Sequence, residues 1–157
     1  MFVKIFADGG LMAVVFISGV VGLYWLLKTK PNLKVLFPYV LMAGLTSVLT
    51  DKLLSMIYAQ ERRPFVEEGL AAGASYINNP GFPSDHALLA TVVVMAVFVL
   101  TPYKKLSYFL ILLTLLMCVA RVLALVHTPL DIVGGIAAGL LGALWYRKHK
   151  QDTKAVS

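Results

Sequence analysis

The stretch LSYFLILLTLLMCVARVLALV, residues 106–126, decides the fold class of this chain. At a rise of about 1.5 Å per residue, a helix of this length would span the roughly 30 Å of hydrocarbon in a bilayer. Arg121 is its only charged residue. The stretch therefore predicts a transmembrane helix that carries one buried cation near its end.

Apolar segments of similar length flank this stretch on both sides. They lie at about residues 10–27, 35–59, 85–101 and 130–146. Of the 157 residues, 59% are hydrophobic and 14% are charged, which excludes an ordinary soluble domain. We predict a single membrane-embedded domain over residues 1–157, all-α, built as an integral membrane bundle of about five transmembrane helices.

The distribution of basic residues predicts the orientation of the bundle. If the five helices alternate in direction, nine cations fall on one side, which the positive-inside rule makes cytoplasmic. The C-terminus would then be cytoplasmic, and the N-terminus and the loop 61–83, with a short helical turn near 66–72, would face outward. The net charge of +6 fits membrane lipids better than nucleic acid. The nine cations are Lys28, Lys30, Lys34, Lys104, Lys105, Arg147, Lys148, Lys150 and Lys154.

Small residues in the apolar segments are interpreted as packing features. Gly135, Gly139 and Gly142 recur at helical spacing and predict a close helix contact. Cys118 is the only cysteine, so the chain can form no internal disulfide, and its apolar neighbours predict a core position. The basic tail from Arg147 onward is expected to be a solvated anchor for lipid headgroups.

Ionisable residues gather at the outer end of the predicted bundle. Asp51 and Lys52 would lie roughly 22 to 24 Å from the inner boundary and Arg121 at about 22 Å, which predicts that the two cations share one depth. An anionic ligand such as phosphate would compensate this concentration of cations. The other polar residues expected at this end are Arg62, Arg63, Ser84, Asp85, His86, His127 and Asp131.

Two of these residues suggest specific chemistry, and each has an ordinary alternative. Ser84 is a predicted N-cap whose helix would direct free N–H groups at an anion, although a plain cap followed by a surface histidine fits equally well. His127 precedes a predicted helix start at Pro129, where a histidine usually has no special role. Asp131, four residues later, could instead hold one nitrogen of His127 and leave the other free as a nucleophile.

A zinc site is a further alternative for the same cluster. His86, His127, Asp85 and Asp131 are all residue types that bind zinc. No two of them are adjacent on one helix face, however, and the neighbouring cations would repel a metal ion. We therefore predict no metal at this site.

Three motifs in this order resemble the type 2 phosphatidic acid phosphatase superfamily. The third motif is specific, because five and three intervening residues separate its Arg, His and Asp. The match is most similar to bacterial undecaprenyl-diphosphate phosphatases of the bacitracin-resistance type. The motifs read Arg63-Pro64-Phe65, then Phe82-Pro83-Ser84-Asp85-His86, then Arg121, His127 and Asp131.

The resemblance implies a metal-independent lipid phosphatase that needs no cofactor. His127 would form a phosphohistidine, Asp131 would orient it, and His86 would exchange protons with the leaving group and water. The implied substrate is a lipid phosphate or diphosphate at the outer membrane face, with undecaprenyl diphosphate favoured. A phosphatidylglycerophosphate or phosphatidate phosphatase, a lipid phosphotransferase and a non-enzymatic lipid-binding protein remain alternatives. The residues assigned to phosphate binding are Lys52, Arg63, Ser84, Asp85 and Arg121.

The chain departs from the motifs of the family at three positions. Ala120 stands where the family often has serine, and Asp85 replaces glycine. Lys52 lies eleven residues before Arg63, whereas the motif lysine lies seven before. Both spacings return to nearly the same helix face, so we expect Lys52 to point toward the phosphate from about one turn deeper. An intramembrane ion pair between Lys52 and Asp51 is the alternative.

Overall fold

The computed structural model describes residues 2–58, 63–76 and 81–156, and these residues form helices and connecting segments without a strand. The predicted all-α membrane bundle is confirmed. Arg62, which the sequence places near the site, lies outside the described residues. In chain order the helices are α1 (Phe2–Thr29), α2 (Leu33–Ile57), α3 (Pro64–Glu67), α4 (Asp85–Leu100), α5 (Lys104–Leu123) and α6 (Pro129–Val156).

Four of these helices, α1, α2, α5 and α6, are long and apolar enough to cross a membrane. The remaining predicted helix, at 85–101, is present as α4, but its 16 residues cover only about 24 Å. A buried, non-helical segment, Gly81 to Ser84, leads into α4. The N-terminus of α4 therefore lies against the start of α6, where Gly134 faces Phe82 and Gly135 faces the carbonyl oxygen of Ser84.

Helix α4 occupies the centre of the bundle. It packs against α6, α5 and α1, while α2 packs mainly on α6 and α1 mainly on α5. The predicted glycine stripe mediates this packing: Gly135 and Gly139 face α4, and Gly142 faces Ala43 and Ser47 of α2. Cys118 is buried in the main hydrophobic cluster, as its apolar neighbours predict.

Several predicted boundaries need correction. Helix α1 begins at Phe2 rather than near residue 10, which brings Asp8 into the helix. Helix α6 continues through the basic tail after Arg147 as far as Val156, whereas the predicted helix ends near residue 146. Tyr146 and His149 are buried on this extension, so packing stabilises the additional turns. The short helical turn expected near 66–72 occurs earlier, as α3.

The C-terminal end of α4 is held by lysine side chains. Helix C-termini leave carbonyl groups without intrahelical partners. Lys104 Nζ donates to the carbonyl oxygen of Phe98, and Lys150 Nζ donates to that of Val99 at 3.3 Å. Two cations from α5 and α6 thereby stabilise the end of the central helix.

Candidate active site

His127 and Asp131 form a buried pair where α5 turns into α6. Their Nδ1 and Oδ2 atoms lie 3.4 Å apart, and both side chains are almost fully buried. Thr128 N donates to Asp131 Oδ2 at 2.7 Å, and Asp131 N donates to Thr128 Oγ1 at 3.2 Å. This reciprocal arrangement is a capping box at the start of α6. It fixes the Asp131 carboxylate, which in turn orients the imidazole of His127.

The pKa of His127 is lowered from its ordinary value. Burial is the main cause, and the hydrogen bond to Asp131 opposes it, while the charges of Arg121 and Arg63 lower the pKa further. The neutral imidazole is therefore favoured near neutral pH. With Nδ1 directed at Asp131, the lone pair of a neutral His127 lies on Nε2, where a nucleophile requires it.

The turn before His127 adopts an unusual backbone conformation. Leu125 has a φ of 58°, in the left-handed region that costs a non-glycine residue about 1 kcal/mol or more. Its carbonyl oxygen accepts a hydrogen bond from Phe65 N at 3.0 Å, and Ala124 O accepts one from Gly73 N at 3.0 Å. Helix α3 and the loop that follows it thus support the strained turn before His127.

The N-terminus of α4 lies directly against the start of α6. Ser84 N donates to the carbonyl oxygen of Asp131 at 2.9 Å. The Ser84 side chain is fully buried, caps no backbone N–H, and its Oγ has no hydrogen-bond partner among the residues described here. A buried hydroxyl in this state can bind an anionic oxygen.

His86 and Asp85 follow Ser84 on the first turn of α4. His86 is partly buried and interacts electrostatically with His127 and Arg121 as well as with Asp85. Asp85 is exposed at the protein surface. The structure thus brings His86 to the predicted nucleophile and keeps the Asp85 side chain at the rim.

Arg63 reaches the same site from the N-cap position of α3. Its side chain is buried, and Nη1 donates to the carbonyl oxygen of Val126 at 2.7 Å. The guanidinium lies 5.4 Å from the ring of Tyr76 and interacts electrostatically with Asp131. Burial lowers the pKa of Arg63, but a guanidinium remains charged at physiological pH.

Arg121 is the most deeply buried cation of the site, with 1% of its surface exposed. Nη1 donates to the carbonyl oxygen of Ala7 at 3.2 Å, and Nη2 donates to that of Ser75 at 3.1 Å. Nε has no partner among the described residues. Because a guanidinium has five N–H donors, three remain available for a ligand.

Lys52 forms an ion pair with its neighbour Asp51. Its side chain is 65% exposed, and Nζ lies 3.5 Å from Asp51 Oδ2. A ligand shared by Lys52 and Arg121 stays a prediction: α2 packs mainly against α6 and also against α4, whereas Arg121 on α5 is bound to α1 and to the loop after α3. The geometry supports the alternative ion pair with Asp51.

The zinc alternative gains no support from the geometry. Within residues 2–58, 63–76 and 81–156, no three or more histidine, cysteine or acidic side chains converge as metal ligands do. Arg63 and Arg121 occupy the surroundings of His127 instead. The donor set suits an anion better than a cation.

Asp8 and Ser75 are contacts of the site that the sequence interpretation missed. Asp8 lies in the first turns of α1, and both of its carboxylate oxygens bind Ser75. The sequence did indicate such a contact, because Asp8 is an acidic residue close to an apolar run and such residues usually have a partner. Ser75 carried no signal, because a serine in a polar loop is ordinary.

Comparisons with known proteins agree with this arrangement. The PAP2 superfamily model matches residues 11–154. The chain is 24% identical over 122 residues to the bacitracin transport permease protein BcrC of Bacillus licheniformis, covering 78% of this chain and 59% of that protein. It is 29% identical over 113 residues to the undecaprenyl-diphosphatase BcrC of Bacillus subtilis (strain 168), covering 69% and 57%.

The chain thus spans under two thirds of the length of these two curated relatives. No solved structure matches it. The family match, by contrast, extends over most of the chain and includes α4, α5 and most of α6, which carry His86, Arg121 and Asp131. On that coverage, the chain belongs to the PAP2 superfamily.

Proposed function

We propose that this protein hydrolyses a membrane lipid phosphate or diphosphate, with undecaprenyl diphosphate as the favoured substrate, through a phosphohistidine on His127. The observation that carries this proposal is the buried His127–Asp131 pair, which lies within electrostatic reach of Arg63 and Arg121. A neutral nucleophile beside two fixed cations suits attack on an anionic phosphorus centre. The undecaprenyl-diphosphatase activity named for the Bacillus subtilis relative supports the choice of substrate.

In the first step, His127 Nε2 attacks the terminal phosphorus, and the bond from phosphorus to the leaving oxygen breaks. Asp131 accepts the Nδ1 proton in a hydrogen bond and stabilises the positive charge that develops on the ring. His86 donates a proton to the leaving oxygen, which departs as the lipid monophosphate or alcohol. The phosphoryl group is then bound to His127.

In the second step, His86 takes a proton from a water molecule, and the resulting hydroxide attacks phosphorus. The N–P bond breaks, His127 regains its lone pair, and inorganic phosphate leaves. Arg63, Arg121 and the Ser84 hydroxyl are the groups proposed to bind the equatorial oxygens in both transition states. Because these groups supply the compensating charge, we propose that no metal or cofactor participates.

We further propose that the site faces outward and that the C-terminus is cytoplasmic. Arg147, Lys148, Lys150 and Lys154 lie on the end of α6 opposite Asp131. The positive-inside rule assigns that end to the cytoplasm. Lipid substrates would then enter from the outer leaflet.

The decisive experiment is phosphate release by the purified protein from undecaprenyl diphosphate, phosphatidylglycerophosphate and phosphatidate, with and without excess chelator. We expect turnover that survives chelator and is lost in His127→Ala, since no other group can form the intermediate. His149→Gln is the matched control, because His149 lies at the opposite end of α6. Acid-labile label from a radioactive substrate should be trapped on the wild type and absent from His127→Ala.

The alternatives give different results in the same assay. A phosphotransferase would release phosphate slowly in water and rapidly transfer it to an added lipid alcohol. A non-enzymatic lipid-binding protein would bind the substrate without turnover. Trapping of label on His127→Ala at the wild-type level would refute the assignment of the nucleophile.

A further inference from the structure

We infer that Asp8 is a positioning residue that holds Arg121 in its phosphate-binding orientation through Ser75. This inference rests on the proposed function. The structure joins three parts of the chain that are distant in sequence: the outer end of α1, the loop after α3, and the end of α5. Asp8 is the acidic residue in that junction.

The contact between Asp8 and Ser75 is bidentate. Asp8 Oδ1 accepts from Ser75 N at 2.9 Å, and Asp8 Oδ2 accepts from Ser75 Oγ at 3.2 Å. Two hydrogen bonds to one carboxylate hold the backbone N–H and the hydroxyl of Ser75 and so fix the position of this residue. The carbonyl oxygen of the same residue accepts from Arg121 Nη2 at 3.1 Å.

Arg121 is held on its other side by the helix that carries Asp8. Nη1 donates to the carbonyl oxygen of Ala7, the residue before Asp8, so the guanidinium is anchored at two points. Asp8 also makes the largest favourable electrostatic interaction with Arg121, and it interacts electrostatically with His86. Anchoring both Nη atoms leaves Nε, buried and without a described partner, as a donor of fixed direction.

This arrangement has a plain physical advantage for catalysis. An arginine that is already oriented loses no side-chain entropy when phosphate binds, and it stabilises transition-state charge without reorganisation. A loop residue such as Ser75 would not keep its peptide in one orientation unaided. Asp8 is costly as an acidic residue in an apolar helix, and its role in positioning Ser75 and Arg121 accounts for its presence there.

The hydrogen-bonding contribution of Asp8 can be separated from its charge by two substitutions. Asp8→Asn keeps both contacts, since its oxygen accepts from Ser75 N and its amide donates to Ser75 Oγ. Asp8→Ala removes both contacts. We expect kcat to fall about tenfold or more in Asp8→Ala, with KM changed less than about threefold, and to stay within about threefold of wild type in Asp8→Asn.

Three further measurements distinguish positioning from a general effect on the fold. Glu67→Ala removes an exposed acidic residue of α3, at the same end of the bundle, and should leave kcat unchanged. The inhibition constant for vanadate should rise about tenfold in Asp8→Ala, in parallel with the fall in kcat. Arg121→Lys lacks the two Nη atoms that Ser75 and Ala7 bind. In that background, Asp8→Ala should therefore lower kcat by less than about threefold.

Ser75→Ala provides a second route if Asp8→Ala does not fold. This variant keeps the hydrogen bond from the backbone N–H of residue 75 to Asp8 and loses only the hydrogen bond from the hydroxyl group. We therefore expect kcat to fall about threefold in the wild-type background and to change little in Arg121→Lys. Wild-type kcat in both Asp8→Ala and Ser75→Ala, or an equal loss in the two backgrounds, would overturn the inference. A wild-type protein that releases no phosphate would instead refute the proposed function.

Discussion

Replacing Gly135 with alanine should loosen the bundle at the site and lower turnover. The added methyl group would press on the carbonyl oxygen of Ser84 and would lie 3.0 Å from Ala87 Cβ and 3.1 Å from Leu88 N. That same carbonyl oxygen accepts the first hydrogen bond of α4, from Leu88 N at 3.0 Å. None of these atoms can rotate away, so α4 or α6 must shift.

The expected loss of stability follows from two opposing effects. Forcing a methyl group into a closely packed contact costs about 1 to 3 kcal/mol. Alanine in place of glycine within a helix restores roughly 0.5 to 1 kcal/mol. We therefore expect a net destabilisation of the order of 1 kcal/mol for Gly135→Ala.

The expected loss of turnover is larger than the loss of stability suggests. Ser84 and His86 lie on the turn of α4 that the methyl group would displace. A misplacement of about 1 Å in a catalytic group can cost about a hundredfold in rate. Because the contacts require a smaller shift, we expect turnover to fall by about tenfold.

Gly44→Ala is the matched control. Gly44 lies inside α2, and a methyl group built there has no atom within 4 Å. The substitution makes the same chemical change without the clash, so stability should be equal to or slightly above wild type.

Thermal unfolding can be followed through Cys118, the single and buried thiol of the chain, with a dye that reacts on exposure. We expect a midpoint several degrees lower for Gly135→Ala than for Gly44→Ala. Phosphate release under the same conditions gives the turnover. Equal midpoints and equal turnover for the two variants would refute the proposed role of this contact.

Three other predictions concern single residues and the orientation of the bundle. Lys52→Met should lower the unfolding midpoint, because the structure pairs Lys52 with a buried carboxylate, and it should leave kcat and KM within about threefold of wild type. A tenfold loss in kcat or kcat/KM without a change in midpoint would instead support the predicted role of Lys52 in phosphate binding. Since burial lowers the pKa of His127, kcat/KM of the wild type should persist below pH 6.5. In Asp131→Asn, the fall of kcat/KM on the acidic side of the pH profile should move to still lower pH, because the carboxylate raises the pKa of His127. A fall that moves to higher pH would contradict this assignment. In a cysteine-free background, Glu68→Cys should react with an impermeant reagent on intact cells and Gln151→Cys should not; the reverse pattern would overturn the proposed orientation.

Much of the fold could be predicted because the signal for a membrane helix is local. The apolar run at 106–126 predicts a helix wherever it lies in the bundle, since a lipid-exposed backbone must satisfy its own hydrogen bonds. The same reasoning found the other helices, with α1 and α6 longer at their ends than predicted. Those extra turns depend on contacts with other helices, which hydropathy does not report.

The composition of the site was also accessible from the sequence. His127 and Asp131 are four residues apart at a helix start, a spacing that brings them together in nearly any fold. Arg63, Ser84, His86 and Arg121 were predicted at the same end from the alternation of the helices, and all four surround the pair. Their assigned roles in the reaction remain proposals.

Only the tertiary structure decided which residue each ionisable side chain of the helices contacts. The periodicity of α2 places Lys52 on a face but does not say what that face packs against, and the structure pairs it with Asp51. In the same way, no local pattern connects Asp8 with Ser75 and Arg121, because 46 residues separate Ser75 from Arg121 and 114 separate Ala7 from Arg121. The sequence determined that these charges need partners, since an unpaired charge in hydrocarbon is costly. The packing of α1 on α5 brought Ala7 to Arg121, whereas Lys52 pairs with the adjacent residue of its own helix.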